Sequence, residues 1–182
     1  MDETFLILGL GNPGPKYEQT RHNLGIHALE ELLERTDGMP AALSVHKRTN
    51  TQIAQARIAG RPVVLARTRG YMNLSGGPTK ALADFFKINS RNVVALFDDL
   101  ELDFGQVSAK FGGGDHGHKG LKSITQAMGT KEYHKVGIGI GRPPGRMDVS
   151  SFVLKPFSRQ EQQELPIICA NAADAVEAIL RG

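Results

Sequence analysis

Apolar runs and apolar periodicities alternate along this chain. Phe5-Leu6-Ile7-Leu8 is an unbroken apolar run and reads as a short buried strand. A turn rich in glycine and proline follows, Gly9-Leu10-Gly11-Asn12-Pro13-Gly14-Pro15. A helical pattern then begins at about Asn23, with Ile26, Leu29, Leu32 and Leu33 on one face. Thr51–Ile58 and Val63–Ala66 read as two strands joined by a turn at Ala59-Gly60-Arg61-Pro62. Pro78 suits the first turn of a helix running to about Phe86. Val93–Phe97 is a continuous apolar strand that ends in Asp98-Asp99, and Val107–Phe111 is a further strand. A glycine-rich loop, 112–120, leads into a helix ending near Met128. Val136–Ile140 is a strand with interleaved glycines, and Arg159–Leu180 closes the chain as an amphipathic helix. Strands alternating with helices predict a single α/β domain over 1–182, with a twisted, mixed and largely parallel sheet flanked by helices.

The polar positions cluster where strands end, which is where α/β sheets place their ligands. Four loops carry them: Asn12 to Asn23, Tyr71 to Asn73, Asp98-Asp99, and Asp115 to Lys119. The first, with Asn12, Tyr17, Arg21, His22 and Asn23, also spells G-x-G-x-x-G from Gly9 to Gly14. A dinucleotide site needs the last glycine to open a helix onto a pyrophosphate. Here Pro13 and Pro15 bracket that glycine and the helix is delayed. The nearest acid at the expected distance, Asp37, sits in a turn. The glycines are better read as shaping the backbone around Asn12 and His22.

His22 is the best candidate base, because an unperturbed imidazole titrates near neutrality. Asp98 can accept from its other ring nitrogen, fixing the tautomer and stabilising the imidazolium. Asn12 and Asn73 are neutral amides able to hold a carbonyl or orient a water. No serine stands in a G-x-S-x-G elbow, so the nucleophile of a hydrolase built here is water. Asp115, His116 and His118 with Asp98 form an alternative set of metal ligands, but the glycines before them make a soft cage and no metal is expected. The bland readings are a turn asparagine at Asn12, a capping aspartate at the end of a strand, and a histidine at a helix start.

Composition narrows the setting. The chain has 182 residues, enough for one domain with a proper core. No apolar run reaches membrane-spanning length, the start Met1-Asp2-Glu3 is acidic and unlike a signal peptide, and Cys169 has no cysteine to pair with. A cytoplasmic protein is expected. Net charge is +3 but uneven, with seven acids against three bases in 1–37. Residues 110–146 carry Lys110, Lys119, Lys122, Lys131, Lys135, Arg142 and Arg146 against only Asp115 and Glu132. That imbalance is a modest pointer to a phosphate-bearing partner.

Six segments in order resemble the bacterial-type peptidyl-tRNA hydrolase family: Gly9–Gly25, Tyr71–Gly77, Asp98–Gly105, Gly112–Ile124, Gly137–Pro143 and Phe152–Ser158. The resemblance implies one α/β domain that hydrolyses the ester between a peptide and the terminal ribose of tRNA, without metal or organic cofactor. It implies His22 as the base with Asp98 as its partner, and Asn12 and Asn73 beside the ester. By the same resemblance Tyr71 and Met72 would line the peptide groove, Tyr17 would also bind substrate, and Lys110 and the basic surface beyond it, Lys122 and Arg142, would meet tRNA. A monomer is expected. Three positions depart from the family pattern. The usual H-N-G is His118-Lys119-Gly120, replacing an amide that contacts substrate by a cation that only donates. Phe97 stands where histidine is usual before the catalytic Asp98, and Lys135 where arginine is frequent. The alternative reading is an RNA-binding relative of the same fold with weak or lost catalysis.

Overall fold

A computed structural model describes residues 3–182; Met1 and Asp2, which begin the acidic start, lie outside the described residues. The described chain forms seven strands: β1 (Phe5–Gly9), β2 (Ser44–His46), β3 (Thr51–Ile58), β4 (Arg61–Thr68), β5 (Val93–Asp99), β6 (Val107–Phe111) and β7 (His134–Gly139). The helices are α1 (Leu24–Glu34), α2 (Gly76–Phe85), α3 (Lys119–Met128), α4 (Val149–Val153) and α5 (Arg159–Arg181). The strands make one sheet in the order β2-β3-β4-β1-β5-β7-β6. The middle four, β4, β1, β5 and β7, run parallel, while β2, β3 and β6 join antiparallel at the margins.

The central strands read as unbroken apolar runs because both of their faces are covered. Phe5 and Ile7 of β1, with Val94 and Leu96 of β5, pack under α1 and α5. Leu6 and Leu8, with Val93, Ala95 and Phe97, pack under α2 and α3. Gly25 lets α1 lie directly on the sheet. A methyl there would collide with the Leu96 carbonyl oxygen and sit 2.9 Å from the Leu10 backbone nitrogen. The helix that begins just after His22 is thereby held against the ends of β1 and β5.

Several boundaries differ from the sequence reading. The β3–β4 turn is only Ala59-Gly60, both with positive φ (52° and 79°), the backbone of a two-residue hairpin. Arg61 and Pro62 therefore join the strand. Pro62 pairs with Arg57 one step beyond the turn-flanking pair Ile58–Arg61. In antiparallel alternation that is a non-hydrogen-bonded position, so the missing N–H costs no ladder bond. β5 continues through Asp98 and Asp99, and α1 is preceded by a 3-10 turn at Arg21–Asn23. β2 and α4 were not legible, being three and five residues long and too short to display a period.

Candidate active site

The carboxyl ends of β1, β4 and β5 meet at a cavity of about 330 Å³. Its lining includes Asn12, His22, Tyr71, Met72, Asn73, Asp98 and Lys119, seven of the residues singled out from the sequence. Tyr17 is not in the lining; it stands edge-on to Tyr71 with ring centroids 6.1 Å apart. Lys110 on β6, Lys122 on α3 and Arg142 beyond β7 are exposed and outside the cavity. An apolar side is supplied by Leu100 and by Val149, Val153 and Leu154 on and after α4.

His22 is fixed from two directions. Its neighbour Arg21 is tied to the α4–α5 connection: its backbone N–H donates to the Lys155 carbonyl at 3.1 Å, and its guanidinium pairs with Glu161 at 3.1 Å. The His22 ring places Nδ1 2.8 Å from Asp98 Oδ2. The other carboxylate oxygen, Oδ1, lies 2.8 Å from His118 Nε2. His118 is the N-cap of α3, and its Nδ1 accepts from the backbone N–H groups of Gly120 and Leu121 at 3.1 and 3.3 Å. A nitrogen that accepts twice carries no proton, so neutral His118 holds its proton on Nε2 and donates it to Asp98. An ionised carboxylate only accepts, so His22 Nδ1 donates to the second oxygen, and in the neutral imidazole the lone pair is then on Nε2. Burial alone would push the Asp98 carboxyl up. The attraction and hydrogen bonds of the His22 and His118 ring N–H groups outweigh it and hold Asp98 well below the usual carboxylate range.

Asn12 is clamped as firmly. Its backbone N–H donates to Asn23 Oδ1 and its carbonyl accepts from Asn23 Nδ2, both at 2.9 Å. Its own Oδ1 accepts from the Met72 N–H at 2.7 Å. This network assigns the amide orientation and leaves Asn12 Nδ2 as a donor at the cavity. It also fixes the Tyr71–Asn73 turn relative to β1.

Sequence reasoning missed two members. His118 was read only as a potential metal ligand, although a histidine directly before a helical pattern is also a capping signal. Asn23 was noted as polar, but its double bond to the Asn12 peptide depends on how α1 folds back on the loop. The alternative metal set is not assembled: His118 goes to Asp98, His116 to Asp99 at 2.9 Å, and Asp115 Oδ1 accepts from the Gly117 N–H. Two other groups have donor atoms within 4.8 Å of one another, His22–Asp98–His118 and Asp99–Glu101–His116. Their nitrogen and oxygen donors suit a divalent ion, but the His–Asp hydrogen bonds at 2.8–2.9 Å would have to be given up to bind one. Ser150 lines the cavity without a hydrogen bond to either histidine among the described residues, and Cys169 lies elsewhere, its thiol pushed up to about 12 by burial.

Lys135 does not belong to the basic surface of 110–146. Lys135 is 3% exposed, and its Nζ donates to the carbonyls of Gly112 and Lys131, both at 2.9 Å. It anchors the base of the glycine-rich loop and offers nothing to a partner. Burial pushes its ammonium down to about 8, with Glu132 opposing the shift. Above that pH the folded protein loses a proton that the unfolded chain keeps until about 10.4. The unfolded state then binds more protons, so this group adds stability as pH rises from about 8 to 10. Denaturant midpoints should therefore show a rise over that interval that Lys135→Met lacks; parallel curves for the two proteins would contradict the assignment.

Fold and site together describe an α/β protein whose cavity brings a histidine hydrogen-bonded to a buried aspartate beside two side-chain amides. The chain belongs to the peptidyl-tRNA hydrolase family, whose model matches residues 6–182. It is 58% identical to a peptidyl-tRNA hydrolase of Corynebacterium diphtheriae over 179 residues, covering 98% of this chain and 97% of that one. It is 51% identical to one of Rhodococcus opacus over 180 residues, covering 99% and 93%. A crystal structure of the peptidyl-tRNA hydrolase from Acinetobacter baumannii superposes with a TM-score of 0.90 at 32% identity, covering all of this chain and 91% of that one. Among the described residues, no helix is long and apolar enough to cross a membrane.

Proposed function

We propose that this protein hydrolyses the ester linking a peptide, or an N-blocked amino acid, to the terminal ribose of tRNA. The carrying observation is the 2.8 Å contact of His22 Nδ1 with a buried, ionised Asp98, which in the neutral imidazole puts the lone pair on Nε2 of a ring that lines the cavity. In this reading Nε2 takes a proton from water as the water attacks the ester carbon. Asn12 Nδ2 and the Asn73 amide donate to the oxyanion that forms on the carbonyl oxygen. When the tetrahedral species collapses, the imidazolium returns the proton to the departing ribose oxygen, and Asp98 stabilises the cation in between. The chemistry uses the side chains present and calls for no metal or organic cofactor. Leu100, Val149, Val153 and Met72 offer an apolar side to the peptide, with Tyr71, backed by Tyr17, at its edge. Lys119 supplies a cation at the cavity where the family usually has an amide.

The tRNA body is assigned to the exposed Lys110, Lys122 and Arg142. Affinity should then fall steeply with salt, each neutralised phosphate contributing about 0.7–0.9 to the log–log slope. Lys110→Ala should weaken tRNA binding and flatten that slope by about one phosphate's worth. An unchanged slope would make Lys110 ordinary solvated surface. We place the protein in the cytoplasm and read it as a monomer acting on free peptidyl-tRNA. Release of N-acetyl amino acid from N-acetyl-aminoacyl-tRNA tests the activity. No release above the solvent rate would leave only RNA binding.

A further inference from the structure

Asp98 and Asp99 are successive residues on a strand, so their side chains leave β5 on opposite sides. Each nevertheless holds a histidine of the same loop. Asp99 is 2% exposed, and its Oδ2 lies 2.9 Å from His116 Nδ1. Its Oδ1 accepts from the Glu101 N–H at 2.9 Å, and the Glu101 carboxylate comes within 3.6 Å of the same imidazole nitrogen. His116 sits at φ 53°, a left-handed conformation uncommon outside glycine. Gly112, Gly113 and Gly117 supply the other left-handed backbones of this loop. Glycine would take position 116 without strain, so the turn itself has no need of histidine there. What histidine adds is a side chain that reaches Asp99.

Two residues further on, His118 reaches Asp98 at 2.8 Å. A tight turn joins the two anchors: the His118 N–H donates to the Asp115 carbonyl at 2.8 Å. Phe97 stands edge-on to both rings, with centroids 5.8 Å from His116 and 5.4 Å from His118. The loop is thus pinned to the end of β5 at two adjacent carboxylates. It is preceded by three consecutive glycines, 112–114, which on their own leave the backbone free.

We infer that His116 is a positioning residue for the reaction. Its bond to Asp99 holds the 115–118 turn so that His118 keeps its Nε2 proton on Asp98, leaving the other carboxylate oxygen to His22. This rests on the hydrolysis proposed above, in which Asp98 orients the base. Two full-length variants test it. His116→Gly keeps the backbone conformation and cuts the tether. His116→Asn tolerates the same φ and can donate an amide hydrogen to Asp99. The first readout needs no substrate: the imidazole nitrogen–proton spectrum of His118 should report a single tautomer protonated at Nε2 in the unsubstituted protein. His116→Gly should broaden or mix that signal, and His116→Asn should largely restore it. In the second, kcat on N-acetyl-aminoacyl-tRNA should fall about 10-fold in His116→Gly through misplacement of the pair. KM should stay within about 2-fold, and the Asn variant should recover much of the rate. Wild-type kcat with an unchanged His118 signal in His116→Gly would overturn the proposal. A fall in kcat with that signal unchanged would overturn it as well, because the effect would not pass through His118. Failure of the unsubstituted protein to hydrolyse the ester would refute the reading of function, while the spectrum would still decide the tether.

Discussion

Asp98→Asn should lower kcat by about 10³–10⁴-fold with little change in tRNA affinity, because it forces His22 into the wrong tautomer. The carboxylate accepts from two imidazoles, one on each oxygen. An amide offers one accepting oxygen and one donating NH₂. The Gly120 and Leu121 N–H groups fix His118 with its proton on Nε2, so His118 claims the oxygen. The NH₂ then faces His22 Nδ1, which must accept. The His22 proton moves to Nε2, and no lone pair is left for water. Imidazole nitrogen–proton spectra would show the transfer directly. A variant that keeps its rate, or keeps the Nδ1 proton on His22, would contradict this geometry.

The same substitution changes the response to acid. The folded Asp98 carboxyl titrates below its unfolded value of about 3.9, so its contribution to stability is present above that pH. It is lost as pH falls toward the folded value. The stability difference between wild type and Asp98→Asn should therefore shrink progressively below about pH 4.

His22→Ala should lower kcat by at least about 10²-fold, the usual contribution of a positioned general base. The protein should stay folded, since Asp98 keeps its bond to His118; the vacated oxygen costs about 1–3 kcal/mol. Affinity for tRNA should be retained, because the residues assigned to the tRNA body stand outside the cavity. The acid limb of the kcat/KM profile that reports His22 should vanish with the side chain. Lost affinity with an intact kcat would move His22 from the chemistry to binding.

Much of this site is written locally in the chain. Asn12 and Tyr71 to Asn73 lie just past the ends of β1 and β4, Asp98 is next to last in β5, and His22 sits where the loop after β1 enters α1; the alternation of strands and helices brings these ends together. What periodicity does not carry is which side chain crosses to which. His118 and His116 lie two residues apart in a glycine-rich loop, yet they go to different aspartates on opposite sides of β5. The pairing is visible only in three dimensions, where both rings stand edge-on to Phe97. Lys135 is misleading for a related reason. A lysine in a basic stretch reads as surface, but here two backbone carbonyls and the Tyr133 ring, 3.9 Å from the ammonium, make a buried place for it. β2 and α4 escaped because elements of one or two turns have no period to read; α4 nonetheless supplies the apolar side of the cavity.

The central step is attack on the ester by water that His22 activates, and a single-turnover experiment addresses it. Excess protein would be mixed with N-acetyl-aminoacyl-tRNA in ¹⁸O-labelled water and quenched in acid at intervals. The account predicts release of N-acetyl amino acid carrying one labelled oxygen, intact unlabelled tRNA, and no acyl group on the protein at any time. Release no faster than in solvent, or an acyl group bound to the protein, would contradict it.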